Sequence, residues 1–337
     1  MIRACILGCS GVSLAPSERA FLREADPFGF ILFKRNIETP DQVRALTASL
    51  REAVGRDAPV LVDQEGGRVQ RLGAPHWRAY PPGRTYGRLG RGTALSRQAA
   101  TWYGARLIAH DLLSVGINVD CLPVLDVPVP GAHAVIGDRA YGDDPDTVSC
   151  LGRAAAEGLL AGGVLPVMKH VPGHGRALAD SHEALPVVEA GREELEARDF
   201  QPFRRLADMP VAMTAHVVYT ALDPFSPATT SEVVIRDVVR GAIGFGGLLL
   251  SDDLSMNALA GTLGERASAA IRAGCDVGLH CNGCLDEMEA VVDAVPPLAG
   301  EARRRAEAAL ARVATSPEPL DPAEAWQRLD AALASVA

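Results

Sequence analysis

Surplus positive charge is missing from this chain: 33 Lys and Arg stand against 42 Asp and Glu, a net charge of −9 over 337 residues. A duplex or an anionic bilayer demands a concentrated basic face, so neither is an expected partner. A cysteine framework is missing too. The seven cysteines fall at 5, 9, 121, 150, 275, 281 and 284, an odd number without scaffold spacing, which fits a reducing compartment. No apolar stretch approaches the roughly 20 residues of a membrane helix. The opening Met-Ile-Arg-Ala-Cys-Ile-Leu-Gly-Cys is too short for a secretory leader, so the expectation is a soluble, cytoplasmic protein. Repeats, linkers and runs of like charge are also lacking. With 48% hydrophobic and 22% charged residues, the composition excludes disordered and collagen-like chains.

What is present is a repeating order. Eight short, near-continuously apolar runs occur at 5–9, 29–33, 59–63, 117–121, 165–170, 211–216, 247–252 and 276–281. Runs without alternation read as parallel strands covered on both faces. Between them, helical patterning with caps before and Gly or Pro after is expected at 39–54, 96–113, 146–161, 192–206, 231–239, 266–273 and 285–295. Eight alternations predict an α/β fold, a single (β/α)8 barrel over 1–297; a doubly wound open sheet is the rival. The Ala/Arg/Glu-rich tail, 298–337, is expected to be helical and to pack on the barrel. Long connections at 64–95 and 121–145 have the Gly and Pro content of active-site loops.

Several apolar runs end in polar groups: Asp63, Lys169 and His170, His216, Asp252 and Asp253. An unpaired charge at the edge of a core is costly, so a ring of them converging on one face points to a site. Three histidines, His170, His174 and His182, invite a metal reading, but Pro172 and two glycines make the segment a loop rather than a ligand-bearing helix. Asp180 and His182, two apart, point the same way in an extended segment. The carboxylate then fixes the imidazole's tautomer and suits it to give and take one proton; the alternative is a side-chain-stabilised turn. Of Asp252 and Asp253, strand parity allows one to point into the site and does not say which. The carboxylates of the segment that opens with Asp63, with its paired glycines, and Arg71 and Arg139 offer acceptors and donors suited to a polyol, although each arginine taken alone reads more readily as structural. The Cys281–Cys284 pair lacks a second pair and reads as two ordinary thiols.

In order along the chain, Gly-Phe-Ile-Leu-Phe-Lys-Arg-Asn at 29–36, Val-Asp-Gln-Glu-Gly-Gly-Arg-Val-Gln-Arg-Leu at 62–72, Pro-Val-Leu-Asp-Val at 123–127, Lys-His-Val-Pro-Gly-His-Gly at 169–175, Asp-Ser-His at 180–182, Ala-His at 215–216, Ser-Asp-Asp-Leu-Ser-Met at 251–256 and Ala-Gly-Cys-Asp at 273–276 resemble the family 3 glycoside hydrolases. The resemblance is to their single-domain bacterial β-N-acetylhexosaminidases of cell-wall recycling. It implies that Asp252 is a nucleophile, His182 the acid/base and Asp180 its partner. By the same resemblance Asp63, Arg71, Arg139, Lys169 and His170 hold the terminal sugar. The implied reaction is retaining removal of terminal β-N-acetylglucosamine from muropeptide fragments, by a monomer that needs no metal or organic cofactor and has no nucleic-acid or membrane partner. A family 3 phosphorylase using phosphate as acceptor is the alternative; a metal-dependent hydrolase and a non-catalytic sugar binder are further rivals. Departures from the family pattern are Arg176 and Ala177 in the loop, His280 where an aliphatic residue is commoner and so expected to alter the pocket wall, and the Pro-Gly-containing loop 128–134, expected on the leaving-group side.

Overall fold

Eight parallel strands close on one another in the computed structural model, which describes residues 1–90, 94–313 and 316–334. They are β1 (Arg3–Leu7), β2 (Pro27–Leu32), β3 (Val60–Val62), β4 (Val119–Asp120), β5 (Leu165–Val171), β6 (Val211–Thr214), β7 (Leu248–Asp253) and β8 (Val277–His280). Each pairs with its neighbours in sequence, and β1 pairs with β8 to close the ring. This is the (β/α)8 barrel, and the open-sheet rival is excluded because that closure leaves no edge strand.

The helices sit where the punctuation puts them. Pro40–Val54 starts on Thr39, whose side chain accepts from the Gln42 N–H, and stops at Gly55 with φ of 66°. Arg97–Ser114 is capped by Ser96 and Pro145–Ala161 by Asp144. Two expected helices differ. The segment 192–206 breaks into Arg192–Ala197 and Gln201–Arg205, with Pro202 opening the second piece, where its missing N–H is harmless. The segment after β6 starts where expected, with the Val234 N–H donating to Ser231 Oγ, but winds into π-helical turns from Val234 and runs on to Ala242. A helix that the sequence pattern did not reveal, Pro16–Ala25, joins β1 to β2; Ala15 before it offers no capping side chain.

The barrel interior is filled from all eight strands by Ile6, Phe28, Leu61, Val119, Val167, Met213, Leu250 and Val277, among others. Its lower end is stopped by Leu298 and by Ala306 and Ala309 of helix Gly300–Leu310, all buried in that same cluster. Helix Pro322–Leu333 packs instead on the outside, against Arg97–Ser114. Trp326 lies 5.0 Å from the Tyr80 ring and beneath the Arg78 guanidinium, which also pairs with Asp330 at 3.0 Å. Positions 91–93 of the 64–95 connection, and 314–315 and 335–337 of the tail, lie outside the described residues. Among the described residues no helix is long and apolar enough to cross a membrane.

Candidate active site

Polar side chains gather at the C-terminal ends of the strands, around a cavity of about 290 Å³. All eight residues singled out from the sequence line it: Asp63, Arg71, Arg139, Lys169, His170, Asp180, His182 and Asp252. Glu65, Arg68, His174, Ser181 and Asp253 line it as well.

The floor is an ion-pair lattice. Asp63, immediately after β3, accepts from Lys169 Nζ at 2.8 Å and from Arg71 Nη2 at 3.0 Å. Two residues on, Glu65 takes Lys169 Nζ at 2.7 Å and a two-point contact from Arg139, 2.8 Å at each oxygen. The connection can fold back here because Gly66 and Gly67 have positive φ, and a Cβ on Gly66 would lie 2.3 Å from the Pro81 carbonyl oxygen. Burial works to raise both carboxyls, but the cations prevail: Lys169 and Arg71 hold Asp63 far below its ordinary value, and Arg139 and Lys169 hold Glu65 at about 2. Lys169 is buried as well, and the same two carboxylates keep its ammonium charged.

A second network stands beside it. His170 Nδ1 meets Asp126 Oδ2 at 2.7 Å, and Asp126 Oδ1 accepts the His174 backbone N–H at 2.6 Å. Adjacent residues of a regular strand point to opposite sides, yet Lys169 and His170 both face the cavity. The register of β5 against β6 shifts between Met168 and Val171, which re-aims the chain at that point.

The pair on β7 departs from simple parity in the same way. Asp252 and Asp253 both line the cavity, next to a register shift between Leu250 and Asp253 against β8. Their hydrogen bonds tell them apart. Asp253 is occupied locally: Oδ1 accepts from the Ser255 and Cys281 N–H groups, and Oδ2 from the Ser255 hydroxyl at 2.6 Å. Among the described residues, Asp252 accepts one hydrogen bond, from the Asp253 N–H at 2.8 Å. Burial works to raise the Asp252 carboxyl, but His216, His170 and Lys169 hold it below its ordinary value. Burial also pushes His216 down as a base, while Lys169 keeps its ammonium charged.

On the opposite rim, His182 Nδ1 lies 2.7 Å from Asp180 Oδ1, and its backbone N–H donates to the same oxygen at 2.9 Å. A carboxylate only accepts, so the Nδ1 hydrogen belongs to this bond and Nε2 is left to exchange protons. Burial works to raise Asp180, but the two hydrogen bonds from His182 bring it below its ordinary value. His170, His174 and His182 engage three different partners, Asp126, Ser181 and Asp180, rather than converging on one point.

His280 is placed otherwise than expected. Leu279 and Cys281 line the cavity, while His280 points away from it, fully buried, with Nε2 3.3 Å from Glu287 on the following helix. Alternation along β8 accounts for this, and the pocket wall does not contain His280. Arg176 is likewise turned away, tied to Asp199 and Glu194 at 2.7 Å each. The loop 128–134 runs beside the segment that leads to Asp180 and His182: Val129 N–H donates to the Gly175 carbonyl and His133 N–H to that of Ala177.

Comparison with known proteins follows the same line. The profile described as the glycosyl hydrolase family 3 N terminal domain matches residues 8–316. A beta-hexosaminidase from Alkalilimnicola ehrlichii is 42% identical over 281 residues, covering 82% of this chain and 80% of that protein. One from Chromobacterium violaceum is 40% identical over 328 residues, 95% and 88% of the two chains. Among solved structures, native NagZ from Neisseria gonorrhoeae superposes with a TM-score of 0.84 at 32% identity, over 98% of this chain and 96% of that one. A family 3 beta-N-acetylglucosaminidase from Paenibacillus sp. gives a TM-score of 0.81 at 32% identity over 97% of this chain, which spans only 61% of that longer protein.

Proposed function

The chain belongs to glycosyl hydrolase family 3, and from that premise we propose that it is a retaining, exo-acting β-N-acetylhexosaminidase releasing terminal β-N-acetylglucosamine. The observation that carries this reading is the contrast across the cavity. Among the described residues Asp252, its carboxyl held below the ordinary value, accepts one hydrogen bond, and on the same cavity stands an imidazole whose Nδ1 is tied to Asp180 and whose Nε2 has no partner.

The chemistry follows from these states. A terminal sugar is held by hydrogen bonds from its hydroxyls to Asp63, Arg71, Arg139, Lys169 and His170. An Asp252 oxygen attacks the anomeric carbon while the His182 imidazolium gives its Nε2 proton to the glycosidic oxygen, and the leaving group departs as an alcohol. The neutral imidazole then takes a proton from water as the water oxygen attacks the anomeric carbon. That step frees Asp252 and restores the imidazolium. Two displacements at one carbon give net retention. Asp180 stabilises the charged imidazole in the first half and fixes its tautomer in the second.

The N-acetylated sugar is supported by the names of the relatives. Muropeptide fragments as substrate, the cytoplasm as compartment and a monomeric state rest on the motif resemblance.

The test is proton NMR of a β-N-acetylglucosaminide during hydrolysis, in buffer, with phosphate and with a chelator. The β-anomer of N-acetylglucosamine is expected first, at a rate indifferent to both additions. First formation of the α-anomer would exclude a glycosyl-aspartate. A sugar 1-phosphate appearing with phosphate would replace the hydrolase by a phosphorylase.

A further inference from the structure

Ser181 stands between the two members of the rim pair, and its burial does not match theirs. Leu178, His182 and the residues 183–185 are exposed and Asp180 is partly so, yet Ser181 is only 3% exposed. A serine that merely filled a surface turn would leave its hydroxyl in water.

Two contacts hold it inward. Its Oγ lies 3.2 Å from His174 Nε2, and its carbonyl accepts the Ala258 N–H at 3.3 Å. Each contact leads to a different part of the site. His174 is buried, donates its backbone N–H to Asp126, and stands edge-on to His170 with ring centroids 5.7 Å apart. Asp126 in turn holds His170 Nδ1. Ala258 follows the turn that leaves β7, the strand that carries Asp252. Ser181 therefore joins the rim loop to the wall bearing His170 and to the segment downstream of Asp252.

The direction of the hydroxyl bond can be argued as well. His174 Nδ1 is buried without a hydrogen-bond partner among the described residues. An orphaned N–H inside a protein is rarer than an under-used acceptor, so the hydrogen belongs on Nε2, which donates to Ser181 Oγ. Burial drives the His174 pKa down to about 4, so the ring stays neutral and the bond keeps this form through the neutral range.

We propose that Ser181 is a positioning residue: through its Oγ contact with His174 and its carbonyl contact with Ala258, it holds the Asp180–His182 pair where His182 can reach the glycosidic oxygen. This rests on reading the site as a glycosidase. Without the Oγ contact, Ser181 keeps its carbonyl tie to Ala258, and the imidazole loses a fixed height above the sugar. The steps that suffer are the two proton transfers, donation to the leaving group and abstraction from water. Binding of the sugar on the floor, and attack by Asp252, do not pass through this loop.

The prediction is a leaving-group signature. On a nitrophenyl β-N-acetylglucosaminide, whose leaving group departs without a proton, Ser181→Ala should lower kcat/KM, which reports the first displacement alone, only a few fold. On a methyl or disaccharide β-N-acetylglucosaminide, which needs the proton, kcat/KM should fall roughly ten- to a hundredfold, the order that a small misplacement of a catalytic group costs. Calorimetric affinity for N-acetylglucosamine should change little. Ser181→Thr, which keeps the hydroxyl, should recover most of the loss, and limited proteolysis should cut Ser181→Ala faster between 176 and 187. Equal losses on both substrates, no loss on either, or a folded Ser181→Thr as slow as Ser181→Ala would overturn the proposal. If the wild type turns over neither substrate, the glycosidase reading fails instead. The proteolysis arm then still decides the anchor, which is wrong if Ser181→Ala is cut no faster than the wild type.

Discussion

In one part of the cavity the Lys169 and Glu65 side chains are each 3% exposed and linked with Asp63, Arg71 and Arg139; in another, the His182 side chain is 67% exposed and, among the described residues, hydrogen-bonded to Asp180 only. In the proposed reaction the floor meets hydroxyl groups whose positions do not change. It would gain from donors and acceptors that are already aimed and need no rearrangement when substrate arrives. The rim, in the same proposal, does the opposite, giving a proton to a departing group and then drawing one from water, which its exposure to solvent suits. Buried ion pairs are weak contributors to stability, because desolvation offsets their attraction. The floor is thus better understood as a recognition device than as a structural one.

The sharpest way to break this contrast is to remove the attacking group. Asp252→Ala should reduce kcat by a factor on the order of 10⁴ or more, with the thermal midpoint held or raised, in an assay with a nitrophenyl β-N-acetylglucosaminide. Asp253→Asn should behave in reverse, disturbing the turn held through Ser255 and Cys281. If Asp253 proved the essential carboxylate, the assignment by hydrogen-bond occupancy would be wrong. Next comes the rim. His182→Ala should cost roughly 10² to 10⁴ in kcat on substrates with poor leaving groups, the usual contribution of a general acid. Calorimetric affinity for N-acetylglucosamine should be unchanged, and a large loss of affinity would show that rim and floor are not separate.

The floor answers to a different measurement. Glu65→Gln leaves Lys169 and Arg139 short of one buried counter-charge, and unfolding in urea should show a loss of about 3 kcal/mol, with KM raised. Wild-type stability in that variant would mean the lattice is not cross-braced as described. The smallest effect is a pH slope. His174 has its pKa lowered from 6.5 to about 4, so between these values the unfolded chain binds more protons than the folded one. Stability is then fully present above about pH 6.5 and is lost as pH falls toward 4, by about 2 kcal/mol near pH 5. His174→Phe should flatten that part of the stability curve, and a slope left intact would assign it to other groups.

Much of this was legible before any coordinates. Asp63, Lys169, His170 and Asp252 announce themselves because a charged group ends an apolar run; Asp180 and His182 do pair, but in a side-chain-stabilised turn, with Asp180 accepting the His182, Glu183 and Ala184 N–H groups, rather than in an extended segment. Glu65 was passed over although it sits two residues after Asp63. Its importance lies in contacts with Arg139 and Lys169, 74 and 104 positions away, which no local pattern encodes. Asp126 was quoted within a motif, but its partner His170 lies 44 positions on. Parity, with the strand's phase unknown, could not place His280, which the family pattern alone put in the pocket wall. It also could not separate Asp252 from Asp253, whose difference is a matter of which donors happen to surround each carboxylate.

Helix Gly300–Leu310 follows all eight strands in sequence, yet it supplies the alanines that stop the lower end of the barrel. As the chain is synthesised, every strand has emerged before the plug exists, and the first strand must wait for the eighth before it has both neighbours. Until then the interior side chains from Ile6 to Leu250 share a vessel open at the base. The nascent barrel therefore carries its greatest exposure to misassociation late in translation. Chaperone dependence should concentrate in that interval, and truncations ending between 281 and 299 should aggregate where the longer chain does not.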